Sequence, residues 1–284
     1  MEAIVLAIKM IAKEVRRSGL NNIRGFAGYE NTSGDRVTKL DEYAHNCFLQ
    51  TAMRGKLFRA LASEEYPELI KTGHKSPDML FYDPLDGSSN TDVNNSIGSI
   101  FAIRRGEGKF GDEQILAGYA IYGPSTMLVY TTTQGVHGFT LDSSIGEFIL
   151  SHPDMKIPEH NKAYSVNEGN YYKWDTKTKK FIDQSKKNGD SLRYVGTLVA
   201  DFHRTLIKGG IFLYPASPKP KLRLLYEAAP MAKIVEHAGG AAIDGNQRIL
   251  DMVPEDLHQK VPLIIGSPDN VNTYKSTIGN VVVR

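Results

Sequence analysis

Asp83-Pro84-Leu85-Asp86-Gly87-Ser88-Ser89-Asn90 follows directly on an apolar run, 79–82, and its order of residue types governs the reading of the whole chain. A strand that ends in two carboxylates three positions apart, turned by proline and closed by glycine, projects both acids from one corner. Gly87 lets the backbone come close to a ligand. The N–H groups and hydroxyls of Ser88, Ser89 and Asn90 then form a cradle for an anion. Two carboxylates beside such a cradle would repel a phosphate unless a cation lay between them. The pattern therefore calls for Mg²⁺, a hard ion that takes carboxylate, water and phosphate oxygens together. An Asx-turn leading into a helix cap would need neither the second acid nor the cation.

Downstream of the octapeptide, strand-like runs at 97–103, 115–122, 126–133, 135–141 and 147–150 are separated by glycine or proline turns. No helical pattern falls between them, which predicts an antiparallel sheet. A polar, proline-bearing connection at 151–162 leads into a half that alternates. It reads as a helix over 197–207, a strand over 211–214, a helix over 230–238 ending at Gly239-Gly240, and a strand over 261–265. Upstream, Ile4, Val5, Ile8, Ile11, Ala12 and Val15 recur at helical spacing up to Ser18-Gly19. Leu40, Tyr43, Ala44, Cys47 and Phe48 mark a second helix, with Asp41 and Glu42 in its first turn. The glycine- and asparagine-rich 20–39 between them reads as a long functional loop. Residues 173–187, rich in lysine but punctuated by aspartate, read as solvated surface. Helices and sheets together predict mixed α and β layers.

A chain of 284 residues suits one large domain or two small ones. Lys and Arg outnumber Asp and Glu by only 34 to 32, too even for nucleic acid or an anionic membrane as main partner. One cysteine, Cys47, excludes an intramolecular disulfide framework and a cysteine-based zinc cluster. It lies on the apolar stripe of the second helix, so a buried structural thiol in a reducing cytoplasm is expected. No stretch approaches the ~20 apolar residues of a spanning helix. Lys9, Lys13 and Glu14 break up the N-terminal run, which is a packing helix and not a signal peptide.

Other signals are weaker alone. Glu64-Glu65 is an acidic pair of a kind common on surfaces, and Asp35 and Asp41 read as loop and helix-start residues. Glu227 stands in an otherwise apolar run just before Pro230, near a helix N-terminus where an acid also suits the dipole. Gly106-Glu107-Gly108-Lys109-Phe110-Gly111 fits a dinucleotide fingerprint, but it lies in a charged turn between two strands and not between strand and helix. His137 and His203 lack a second histidine at metal-ligand spacing and read as structural. Asn31-Thr32-Ser33 fits a glycosylation acceptor with nothing else pointing to secretion.

Taken together with GDRVTKLD at 34–41, Ser63-Glu64-Glu65, NEG at 167–169, RYVG at 193–196, GGIFLYP at 209–215 and KLRLLYE at 221–227, the octapeptide resembles class I fructose-1,6-bisphosphatase. The resemblance runs over residues 4–269. The octapeptide alone marks only the wider Mg-dependent, lithium-sensitive sugar phosphatases, and the later motifs narrow the match. The resemblance implies an α+β chain in a layered α-β-α-β-α fold. Its N-terminal half, 1–155, would carry the metal and 1-phosphate site, and its C-terminal half, 156–284, the sugar and 6-phosphate site.

Position by position, the resemblance makes Glu64, Asp83, Asp86, Glu227 and the Leu85 carbonyl ligands of Mg²⁺, or of Mn²⁺ in its place. Asp86, Gly87, Ser88 and Ser89 would line the 1-phosphate site. Asp41 and Glu65 would orient and deprotonate the attacking water, and Asp35 would close over the metals. Asn167, Tyr194 and Tyr214 would grip the 6-phosphate, with Arg193 reaching in from a neighbouring subunit of a homotetramer, and Lys221 would contact the sugar. Asn170 stands where many members have a tyrosine in that grip. The segment with which family members bind the inhibitor AMP lies upstream of this sequence. A Lys-Tyr pair serving the same nucleotide falls at Pro77-Asp78, and only Arg104 matches, so AMP inhibition is expected to be weak or absent. The implied activity is hydrolysis of the 1-phosphate of fructose 1,6-bisphosphate in gluconeogenic or Calvin-type carbon flow. A sedoheptulose-1,7-bisphosphatase or dual-specificity enzyme is the alternative within the class, and a non-catalytic sugar-phosphate sensor the alternative outside it.

Overall fold

The computed structural model describes residues 1–20, 25–30, 36–133, 135–218 and 220–277. Helices α1 (Glu2–Arg17) and α2 (Lys39–Gly55) frame a small antiparallel pair, β1 (Phe26–Glu30) and β2 (Arg36–Thr38). Then come β3 (Ala60–Ser63), β4 (Ile70–Lys71), β5 (Asp78–Asp86), β6 (Ile97–Arg105), β7 (Glu113–Tyr122), β8 (Thr126–Thr131), β9 (His137–Asp142) and β10 (Glu147–His152). They form one eight-stranded sheet in the order β10-β9-β8-β7-β6-β5-β3-β4. The second part holds β11 (Ala163–Ser165), α3 (Thr176–Lys187), β12 (Ser191–Leu192), α4 (Leu198–Lys208), β13 (Ile211–Tyr214), α5 (Ala229–His237), β14 (Ala241–Ile243), β15 (Leu263–Gly266) and α6 (Pro268–Ser276). Its five strands pair in the order β12-β11-β13-β15-β14.

The buried side chains define the layers. Ile4, Ile8 and Ile11 of α1 and Leu40, Phe48 and Cys47 of α2 pack on Leu80, Tyr82, Phe101 and Leu128, one face of the large sheet. Ile100, Tyr119 and Val129 leave the opposite face and meet Val199 and Phe202 of α4 and Met231 and Val235 of α5. Those two helices cover Phe212, Leu263 and Ile265 from the small sheet, whose far face carries Phe181, Ile182 and Tyr274 of α3 and α6. The stack is thus α-β-α-β-α, as the resemblance implied. β5 and β6 are buried on both faces, which is why they read as continuous apolar runs with no alternation.

Three expectations need correction. The loop read over 20–39 contains β1 and β2. Among their described side chains only Val37 is buried, too little to mark a repeated inward-outward alternation. The stretch read as solvated surface contains α3, whose Thr178, Phe181, Ile182 and Ser185 face inward. Its aspartate punctuation includes the cap, since the Asp175 carboxylate accepts from the N–H of Thr178. The large sheet is antiparallel from β5 to β10, but β3 pairs with β5 in parallel, and β3 was not foreseen. His137 and His203 are structural as expected: the His137 ring accepts from the N–H of Asp154, and His203 Nδ1 lies 2.8 Å from the Tyr119 hydroxyl.

Burial pushes the His203 imidazole down to about 4, and nearby His152 adds to the effect. A folded value below the unfolded one gives stability that is complete above the unfolded value of ~6.5 and is lost as pH falls through about 4. Urea unfolding is therefore expected to show a loss on the order of 3 kcal/mol from this group between pH 7 and pH 4. His203→Gln should flatten that part of the slope; equal slopes for the two proteins would contradict the assignment.

Candidate active site

The strand-end acids sit where β5 runs out against the N-terminus of α4. Register between β5 and β6 shifts between Asp83 and Asp86, so the strand bulges at the proline. The Ser99 hydroxyl donates to the Pro84 carbonyl at 2.7 Å, and Leu85 N–H donates to Asp83 Oδ1 at 3.0 Å, which pins the bulge. The Asp86 carboxylate accepts from Leu198 N–H at 3.3 Å and Val199 N–H at 2.7 Å, the first free donors of α4. Gly87 adopts φ +74°, and a Cβ there would lie 2.1 Å from Thr197 Cγ2. Beyond it Ser88–Asn90 closes one 3₁₀ turn, with Asn90 N–H donating to the Gly87 carbonyl.

Three other elements deliver further carboxylates. The parallel pairing of β3 with β5 carries Glu64 N–H to the Tyr82 carbonyl at 3.1 Å, which sets Glu64 beside Asp83. A reciprocal cap opens α2: the Thr38 hydroxyl accepts from Asp41 N–H, and Asp41 Oδ2 accepts from Thr38 N–H at 2.7 Å. That leaves Asp41 Oδ1 buried with no hydrogen-bond partner. Glu227 lies inside a π turn, Leu224–Ala228, that runs into α5, and its carboxylate accepts from Arg223 N–H at 2.7 Å. Arg223 is one residue the sequence reading missed. Its guanidinium stands 2.7 Å from Glu64 Oε1 and 3.6 Å from Glu227 Oε2, almost fully buried. A basic residue four positions before the acid in an apolar run was the available signal.

So many acids in one dry corner resist ionisation. Burial, then Glu64, Asp86 and Glu227, push the Asp83 carboxyl well above its ordinary range. Asp86 is pushed up to about 7 by burial and by Glu64 and Asp201, against the opposing N–H groups of Val199 and Leu198. Burial raises Glu227 to about 8, although Arg223 pulls the other way. Asp41 is raised to about 6 by burial, against its bonds to Thr38 and the lowering influence of the Ser88 hydroxyl nearby. Burial works against the Arg223 charge, but Glu227 and Glu64 outweigh it and hold the guanidinium firmly protonated. Among the described residues no three acidic, histidine or cysteine side chains converge at metal-ligand distance. The donor set nonetheless fits a hard cation: it is all oxygen, its charges are in excess, and one buried carboxylate oxygen is unpartnered.

Two cavities meet here. One, of about 420 Å³, is lined by Asp41, Glu64, Glu65, Asp83, Leu85, Asp86, Gly87, Ser88, Ser89, Lys221, Arg223 and Glu227, among others. The other, of about 490 Å³, is lined by Asn167, Asn170, Lys173, Tyr194 and Tyr214, and it shares Asp86, Lys221 and Glu227 with the first. Tyr214 accepts from Lys221 N–H at 3.0 Å, which holds the strand end against the segment leading to Glu227. Lys173, another residue missed in the sequence, donates to the side chain of Asn170. Arg193 is exposed and lines neither cavity, and Asp35 lies outside the described residues.

The family description "Fructose-1-6-bisphosphatase, N-terminal domain" matches residues 1–153, and "Fructose-1-6-bisphosphatase, C-terminal domain" matches residues 157–279. The chain belongs to the class 1 fructose-1,6-bisphosphatase family. It is 50% identical over 300 residues to the "Fructose-1,6-bisphosphatase class 1" of Maridesulfovibrio salexigens, covering 96% of this chain and 89% of that protein. The protein of the same name from Persephonella marina is 51% identical over 284 residues, covering 95% and 88%. Among solved structures, the fructose-1,6-bisphosphatase of Leishmania major in holo form superposes with a TM-score of 0.93 at 42% identity, covering 98% of this chain and 92% of that one. The family is metal-dependent.

The contact between Gly87 and Thr197 is testable without any ligand. Gly87→Ala is expected to cost about 2–4 kcal/mol, from the left-handed backbone and from overpacking. Thr197→Ser removes the methyl group that a new Cβ would strike, so the double variant should lose less than the sum of the two singles. Strict additivity in urea unfolding would show that the two sites do not meet.

Proposed function

We propose that this chain hydrolyses the 1-phosphate of fructose 1,6-bisphosphate with the help of Mg²⁺. The observation that carries this reading is the pair of joined cavities: one acidic with an anion-receiving turn, the other lined by tyrosine and amide groups, sharing Asp86, Lys221 and Glu227. A sugar with a phosphate at each end suits that arrangement, and a monophosphate would leave the second cavity unused. In this reading Glu64, Asp83, Asp86, Glu227 and the Leu85 carbonyl hold the metal. When bound, the metal polarises the phosphoryl group and lowers the pKa of water. Ser88 and Ser89 receive the 1-phosphate, and Gly87 permits the approach. Asp41 and Glu65 orient the water and take its proton as its oxygen attacks phosphorus and the bond to the sugar oxygen breaks, the departing sugar oxygen taking a proton from solvent. The unpartnered Asp41 Oδ1 and a carboxyl raised to about 6 suit a base working near neutrality.

Asn167, Tyr194 and Tyr214 hold the 6-phosphate, and Lys221 contacts the sugar. Arg193, exposed and outside its own chain's cavities, is read as serving the site of a neighbour in a homotetramer. Asp35 is read as closing over the metals. The division into halves falls near residue 155, with Glu227 crossing from the second half into the metal site of the first. One cysteine, buried, and a charged metabolite as substrate favour the cytoplasm. AMP insensitivity is supported by three features. Pro77 offers no N–H, the Asp78 carboxylate is paired with Arg105 at 2.6 Å, and Arg104 is engaged by the carbonyls of Phe110 and Gly111.

Phosphate release with Mg²⁺ tests the reading on fructose 1,6-bisphosphate and sedoheptulose 1,7-bisphosphate side by side. Faster turnover of fructose bisphosphate, abolished by a chelator, is expected; preference for the seven-carbon sugar would relocate the error to the distal grip. Asp41→Asn should lower kcat by about 10²–10⁴ with little change in KM. Millimolar AMP should leave the rate unchanged, and inhibition at micromolar AMP would refute that part.

A further inference from the structure

Residues 193–197 form a short bridge between β12 and α4, with Tyr194 at its middle. Its entry is tied by Arg193 N–H donating to the Tyr164 carbonyl at 2.8 Å. Its exit is tied by one side chain. The Asp201 carboxylate accepts from Val195 N–H at 2.9 Å and 3.1 Å, through Oδ1 and Oδ2, and from Gly196 N–H at 2.9 Å. Asp201 is fully buried in the first turn of α4, and its own N–H donates to the Thr197 carbonyl. An acid so buried is costly, and these two N–H groups support its charge first, with the Ser165 side chain and Arg204 adding to them.

Between the two ties Tyr194 lines the second cavity, its hydroxyl facing the Asn167 side chain. The same helix that carries Asp201 offers its N-terminal N–H groups, Leu198 and Val199, to Asp86. One rigid turn of α4 therefore connects the acidic corner to the segment bearing Tyr194. From this geometry we infer that Asp201 is a positioning residue: it holds the 193–197 bridge so that Tyr194 stands at the separation from Asp86 that a six-carbon bisphosphate requires. The inference rests on the reading of Tyr194 as a contact to the distal phosphate.

Asp201→Asn keeps the shape and one acceptor oxygen, but it turns an amide N–H₂ toward a backbone donor. It also removes the negative charge that faces Arg204 on the same helix. Gly196→Ala disturbs the other end of the same tie and leaves that charge in place. Gly196 has φ +96°, and the nearest neighbours of an added Cβ are Tyr194 Cε1 at 3.6 Å and its Cζ and hydroxyl oxygen at 3.8 Å, so the strain falls on the bridge and on Tyr194. The full chain with Mg²⁺ is assayed on fructose 1,6-bisphosphate and on fructose 1-phosphate, which lacks the distal phosphate, and urea unfolding is used to select folded variants. Both variants should raise KM for the bisphosphate by about tenfold, change kcat by less than about threefold, and leave kcat/KM on fructose 1-phosphate unchanged. Gly196 itself lines the second cavity, so if Asp201→Asn fails to fold, Gly196→Ala is also made in a Tyr194→Phe chain, where an effect acting through the Tyr194 hydroxyl is lost and a direct obstruction is not. Equal losses on the two substrates, or an unchanged KM for the bisphosphate, would overturn the inference. An unsubstituted chain that does not distinguish the two substrates would overturn the distal-phosphate reading itself, and this inference with it.

Discussion

The carboxylate of Asp86 closes the N-terminus of α4, and the site depends on that contact more than on any other. It lies at the end of a strand in the eight-stranded sheet and accepts from the Leu198 and Val199 N–H groups of a helix that lies between the two sheets. The free donors and partial positive charge of a helix start favour an anion there. Gly87 follows because the turn must pass under Thr197 with no side chain of its own. The contact fixes the orientation of an acid that lines both cavities, and it couples the end of β5 to every group that α4 carries.

Around that contact the structure gathers more negative charge than it can solvate. Asp83, Asp86 and Glu227 are each raised by burial first and by one another second. Arg223 relieves part of this by standing between Glu64 and Glu227. The π turn at Leu224–Ala228 belongs to the same accommodation: one extra residue in the turn lets the Glu227 carboxylate fold back onto Arg223 N–H while Leu224, Leu225 and Tyr226 stay buried. Removing one of a set of paired buried charges leaves the others exposed to the low dielectric, so the group behaves as a unit.

The order of the six consecutive strands from β5 to β10 was legible because antiparallel neighbours in sequence are neighbours in space, joined by short turns. α1 and α2 were legible from their apolar stripes, and the octapeptide from its chemistry. β3 escaped because four residues buried on both faces show no alternation, and its partner in parallel pairing is distant in sequence terms. α3 escaped because lysines dominate its composition, although Phe181 and Ile182 carry its packing. Arg223 and Lys173 escaped because a basic residue in isolation does not reveal whether it faces solvent or an acid across the fold.

By itself the sequence determined which chemistry is on offer: two acids and an anion-receiving turn in eight residues, one cysteine, a balanced charge, and an order of motifs that matches a single family. The acids and the turn are local, the cysteine count and the charge are sums over the chain, and the motif order is linear, so none of them needs a contact between distant residues. The motif order implied, through the family, that Glu64, Asp41 and Glu227 meet Asp83 and Asp86; the tertiary structure alone decided which elements bring them there and that Arg223 stands among them. It alone joined the acidic cavity to the one lined by Asn167, Tyr194 and Tyr214. The physical reason is that a carboxyl's ionisation and a side chain's placement depend on burial and on neighbours brought from far along the chain, and neither is written at the position itself.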